Sequence, residues 1–171
     1  AKREMSFWVS INLSSRGLIE SNLVKFLDEM LIKYEVCSNN IELEMTETSM
    51  LKDIERSCRI LEELGDRGFK ISLDDFGTGY SSLNYLKDLP IMKVKLDKCF
   101  IDLIEKNEKD QFLVKSIIDL SHSFDLKVIA EGVEDSEQAN LLKHMHCDYL
   151  QGYYYGKPVP ARTIEELEET I

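Results

Sequence analysis

Short apolar runs alternate along this chain with stretches of helical periodicity, and each run carries a polar residue at or near its end. No other feature limits the fold as much. The runs are Phe7–Leu13, Ile41–Thr46, Lys70–Asp75, Ile91–Leu96, Lys127–Ala130 and a short one near 148–152. Between them, Leu18, Leu23, Phe26, Leu27, Met30 and Leu31 recur at helical spacing and predict a helix over 16–33. Further helices are expected over 53–67 with Gly68 as its left-handed cap, over 110–124 and over 136–145, with a short turn near 82–87. Thr163-Ile164-Glu165-Glu166 reads as the capped start of a C-terminal helix. Such alternation builds a parallel sheet with helices outside it. With no linker, repeat or low-complexity stretch, residues 1–171 read as one domain.

A doubly wound sheet and a (β/α)8 barrel share this rhythm, and the polar residues separate them. Buried parallel strands are nearly continuous in apolar residues. Here they end on Asn12, Glu44, Asp74 with Asp75, Lys95, Glu131 and Gln151. Ser10, Glu42, Ser72 and Lys93, two positions earlier, share their facing by strand alternation. In a barrel these ends converge on one mouth, where active sites of that architecture lie; a doubly wound sheet would spread them along an edge. The barrel is therefore expected.

Carboxylates with an amide oxygen suit hard divalent cations. The adjacent Asp74 and Asp75 could serve two ions, which in two-metal sites stand about 3.5–4 Å apart and clamp a phosphoryl displacement. A lysine among them could orient or deprotonate the attacking water. No Ser–His or Cys–His arrangement competes, since His122, His144 and His146 fall in helices or at their ends. Blander readings exist for single pieces. Asn12 or Gln151 alone would be a turn residue, and Glu42, Glu44 and Glu47 an exposed strand face. Gly77-Thr78-Gly79 is too short for a phosphate cradle, and His144 to Cys147 too crowded for zinc. Six polar strand ends in a row are harder to dismiss.

The net charge of −11, from 21 basic and 32 acidic residues, makes DNA or RNA a poor partner. A phosphate ligand would need metal ions to screen the repulsion. Four scattered cysteines form neither a disulfide framework nor a zinc pattern and suit a reducing cytoplasm. No apolar run approaches the roughly 20 residues that span a bilayer, so no membrane insertion is expected.

The motifs resemble those of the EAL domains, bacterial phosphodiesterases of cyclic di-GMP. Ser10-Ile11-Asn12-Leu13-Ser14, Ile41 to Thr48, Asp74 to Leu83, Lys93 to Asp97, Ala130 to Glu134 and Gln151 to Pro158 follow that family's motifs in order. The resemblance implies metal-dependent hydrolysis of cyclic di-GMP to linear pGpG, with magnesium or manganese in a two-metal site. Asn12, Glu44, Asp74 and Glu131 would hold one metal, and Asp74 with Asp75 the second. Lys95, Glu44 and Glu131 would carry the catalysis, with Lys95 positioning the water. Glu134 would anchor the Asp75–Ser82 loop; Gln151 and Asp97 complete the substrate-binding or loop-anchoring set. A homodimer and an upstream sensory or GGDEF domain are the implied partners. The naming Glu-Ala-Leu motif is absent from this sequence, and a barrel typically needs about 250 residues. The expectation is the C-terminal three-quarters of an EAL barrel, lacking the first strand or two, with the activity of this chain by itself left open. The alternative is a degenerate module that serves as a cyclic di-GMP receptor or a protein-interaction domain.

Overall fold

The computed structural model of the chain describes residues 8–20, 22–50, 53–78, 86–87 and 89–168. Six strands form one sheet: β1 Val9–Asn12, β2 Ile41–Thr46, β3 Lys70–Phe76, β4 Lys93–Leu96, β5 Lys127–Ala130 and β6 Tyr149–Leu150. They lie side by side in chain order, and every neighbouring pair is parallel. An order without reversal is the wall of a singly wound barrel, whereas a doubly wound sheet turns back at a switch point. The sheet curls until the Trp8 ring, just ahead of β1, meets the Tyr149 ring of β6 edge-on at 5.9 Å between centroids. The barrel-type α/β fold read from the sequence is what the chain adopts, as a part-barrel of six strands.

Among the described residues the helices are α1 Ser15–Ile19, α2 Leu23–Tyr34, α3 Glu47–Met50, α4 Ile54–Asp66, α5 Lys98–Ile101, α6 Glu108–Ser123, α7 Ser136–His144 and α8 Ala161–Glu168. Local chemistry accounts for most of their ends. Asp53, Asn107 and Asp135 each accept a hydrogen bond from the first turn of α4, α6 and α7, supplying partners to otherwise orphaned N–H groups. Gly68, at φ +90°, terminates α4 in the left-handed conformation that glycine adopts without strain.

Several boundaries depart from expectation. The single helix over 16–33 is broken in two, because Glu20 adopts an extended conformation and its N–H turns back onto the Gly17 carbonyl. The C-terminal helix begins at Ala161, so Thr163 lies inside its first turn, with its N–H donating to the carbonyl of Pro160. Helix α5 was not anticipated. Its four residues are too few to display a helical period. Phe7 and most of the expected turn near 82–87 lie outside the described residues.

Strand alternation divides the side chains. Leu43, Met45, Ile71, Leu73, Val94, Leu96, Val128 and Ala130 are buried in a core shared with Leu61 and Leu64 of α4, Val114 and Ile118 of α6 and Leu142 of α7. Each such leucine contributes about 1.5–3 kcal/mol relative to exposure. The intervening positions, Glu42, Glu44, Ser72, Lys93 and Lys95, are buried too, on the opposite, luminal side of the wall. The exposed-face reading of Glu42, Glu44 and Glu47 is thereby overturned: all three are buried. Among the described residues no helix is long and apolar enough to cross a membrane.

Candidate active site

The ammonium of Lys95, projecting from β4 into the lumen, gathers carboxylates from three strands. It stands 2.8 Å from Glu44 Oε2 of β2, 3.3 Å from Asp74 Oδ1 of β3 and 2.6 Å from Glu131 Oε1, immediately after β5. Burial alone would lower the pKa of Lys95. Hydrogen bonds to Glu131 and Glu44 outweigh it and raise the pKa, so the group stays an ammonium. Burial pushes the Glu131 carboxyl up, with the negative charges of Asp74 and Glu44 adding to it against the pull of Lys95.

Asp74 and Asp75 leave the sheet at an irregularity. The β3–β4 register shifts between Leu73 and Phe76, and Asp75 takes φ 56°, a left-handed conformation that aspartate tolerates better than most residues. The Asp74 carboxylate accepts the Asp75 N–H at 3.1 Å. Burial, then the charges of Asp74 and Asp97, hold the Asp75 carboxyl above its ordinary value.

Asn12 sits opposite Glu44 in the β1–β2 register, exposed on the same rim, and the next N–H, that of Leu13, donates to the Glu44 carbonyl at 2.7 Å. Gln151 follows β6 and is fastened through its backbone, its N–H donating to Ala130 O while its carbonyl accepts from Val133 N. It lines two cavities. One of about 310 Å³ also takes in Lys98, Glu131, Glu134 and Tyr153. The other, of about 340 Å³, takes in Trp8, Ser10, Glu44 and Tyr155. The strand tips therefore face open space on both sides of Gln151. A larger cavity of about 490 Å³ lies against α2 and α4, lined by Arg56, Arg59 and Ile60 and by none of the strand-tip residues.

Two expected site residues have local partners. Glu134 pairs with Lys98 at 3.0 Å; of the Asp75–Ser82 loop it was expected to anchor, residues 79–82 lie outside the described residues. Asp97 caps α5 by accepting the Cys99 N–H at 2.9 Å, and its bonds to Cys99 hold it below the usual carboxylate range. Lys98 escaped the sequence reading, because a lysine on a one-turn helix carries no periodic signal. Its stem packs on Gly132, at φ +73°, where an added Cβ would come within 2.4 Å of it. His122, His144 and His146 stand away from the mouth; His122 bonds Asp148 and His144 its own helix. Among the described residues, Cys37, Cys99 and Cys147 form no disulfide.

As a donor set, three carboxylates that already converge on one cation, with an amide on the same rim, fit a hard divalent ion. Among the described residues, however, no three acidic, imidazole or thiol groups stand together at metal-ligand spacing; each carboxylate reaches instead for Lys95.

The model of the EAL domain family matches residues 1–158. The chain is 37% identical over 158 residues to the cyclic di-GMP phosphodiesterase NbdA of Pseudomonas aeruginosa, covering 92% of this chain and 20% of that protein. A solved structure of the PaMucR phosphodiesterase in complex with c-di-GMP superposes with a TM-score of 0.87 at 38% identity, over 92% of this chain and 64% of that one. Klebsiella pneumoniae BlrP1, solved with manganese and cyclic di-GMP, gives 0.80 at 28% identity, over 86% and 38%. The chain spans 19–25% of the length of the curated relatives it matches.

Proposed function

Because this chain belongs to the EAL domain family, we propose that it forms the hydrolytic site of a cyclic di-GMP phosphodiesterase, opening one phosphodiester of the ring to give linear pGpG. Water adds to phosphorus, the bond to one ribose 3′ oxygen breaks, and that oxygen takes up a proton. The observation that carries this reading is the ring of Glu44, Asp74 and Glu131 around Lys95 at the mouth of the part-barrel. Asn12, Glu44, Asp74, Asp75 and Glu131 would hold magnesium or manganese, which supplies charge stabilisation at phosphorus and acidifies water. A relative solved with manganese and cyclic di-GMP supports that choice.

Lys95 would face the phosphate and orient the water, hydrogen bonds to Glu131 and Glu44 favouring its protonated form. Glu44 and Glu131 hold Lys95 in the lumen through its hydrogen bonds. Gln151, which lines both cavities beside this ring, would contact the dinucleotide, and Glu134 with Lys98 borders one of them. A homodimer, an upstream sensory or GGDEF domain and a cytoplasmic setting complete the proposal. The greater length of the relatives supports the upstream domain.

The test is pGpG release from cyclic di-GMP, followed by chromatography with manganese or magnesium, for this chain and for its full gene product. Chelator should stop turnover, and Glu44→Ala, Asp74→Ala or Glu131→Ala should abolish it. Wild-type rates in any of the three would refute the reading, and tight binding without turnover would make the module a receptor.

A further inference from the structure

Two lysines three residues apart meet two glutamates three residues apart. Lys95 of β4 reaches Glu131 at 2.6 Å, and Lys98, the first residue of α5, reaches Glu134 at 3.0 Å. Between the two glutamates the chain turns at Gly132, φ +73°. Backbone bonds fasten the ends of that turn: the Glu131 N–H donates to the Leu96 carbonyl at 3.1 Å, and the Val133 N–H to that of Gln151 at 3.0 Å. Its middle rests on Lys98. A Cβ added at Gly132 would lie 2.7, 2.4 and 2.8 Å from Cβ, Cγ and Cδ of that lysine, so the stem fills the place a side chain would take.

The outer pair does little for the fold. Its side chains are 44% and 52% exposed, and exposed pairs contribute little to stability. Its place is what matters, since both residues line the cavity of about 310 Å³ together with Glu131 and Gln151. Lys98 also pairs with Asp102, but that carboxylate follows the same helix and takes no hold of the turn. Among the described residues Lys98 is the only cation paired with Glu134. We propose that Lys98 is a positioning residue: its stem and its ion pair clamp the turn 131–134 onto α5 and thereby hold the Glu131 carboxylate against Lys95.

The kinetic arm of the test rests on the hydrolytic reading above; a second arm, the 15N signal of the Lys95 ammonium in chelated protein, does not. Lys98→Met keeps most of the stem and loses the ammonium, and Glu134→Met removes the other partner. The first takes away a positive charge and the second a negative one, so charge alone would move the Lys95 signal in opposite directions. A slackened Glu131 moves it the same way in both, which is the expected result. In each variant kcat should fall about 10–100-fold with KM nearly unchanged, the loss typical of residues behind a ligand shell. The double variant should be no worse than the worse single, because both break one pair. Lys98→Arg, which keeps stem and charge, should return both readouts to near wild type. Signals that move in opposite directions, or not at all, would overturn the proposal. A kcat left intact would overturn it too, and with a raised KM would put Lys98 on the dinucleotide itself. Absence of all turnover in wild type, with the two signals moving together, would refute the hydrolytic reading and leave the positioning role standing.

Discussion

At Glu131, desolvation and its acidic neighbours win over an ammonium 2.6 Å away, and the carboxyl sits above its ordinary 4.5. A carboxyl raised in the folded state contributes stability below its unfolded pKa and loses it as pH rises through the folded value. In chelator, the stability of Glu131→Gln relative to wild type should therefore improve as pH climbs from about 4.5 through neutrality, read from urea midpoints across that range. A flat difference would mean that Lys95 holds Glu131 ionised as easily as water does. Residues of this kind were partly legible beforehand. Glu44, Asp74, Lys95 and Glu131 were named from strand ends and are the residues that meet, whereas the Glu42–Lys93 pairing was visible only as a shared facing.

Asp148 shows how one side chain can tie elements together. It accepts from the Lys127 ammonium at 2.7 Å, from the Val128 N–H at 3.0 Å and bonds His122 of α6 at 2.7 Å, joining the entry of β6 to the start of β5. Burial would raise its pKa, but the bonds to Lys127, His122 and Val128 prevail and hold it low. Its contribution is present above 3.8 and is lost as pH falls through the folded value, the reverse of Glu131. Asp148→Asn should cost about 2 kcal/mol near neutrality, the scale of hydrogen bonds to a charged group. That penalty should shrink in acid, as thermal unfolding at pH 7 and pH 3 would reveal.

For the whole molecule, the −11 charge and the ring of carboxylates make a divalent cation the natural stabiliser. An ion that binds the folded state alone, at a hundred times its Kd, adds about 2.7 kcal/mol, or roughly 5–10 °C in Tm for a domain of this size. Manganese should raise the melting temperature by that amount, and Asp74→Ala should remove the shift while the protein still folds. An equal shift in Asp74→Ala would place the ion elsewhere.

Local pattern alone determined the βα rhythm, the parallel sheet, the left-handed stop at Gly68 and the identity of the strand-end residues. These depend on periodicity and on neighbours a few positions away, which a sequence displays directly. What only the tertiary structure decided are pairings between strands far apart in the chain: Lys95 with Glu44 and Lys93 with Glu42, each 51 residues away. The break at Glu20, the one-turn α5 and the burial of Glu47 belong with them. Facing is a property of one strand, but which charge meets which depends on register and on the curl that brings Trp8 to Tyr149. Both are set by packing the whole wall at once.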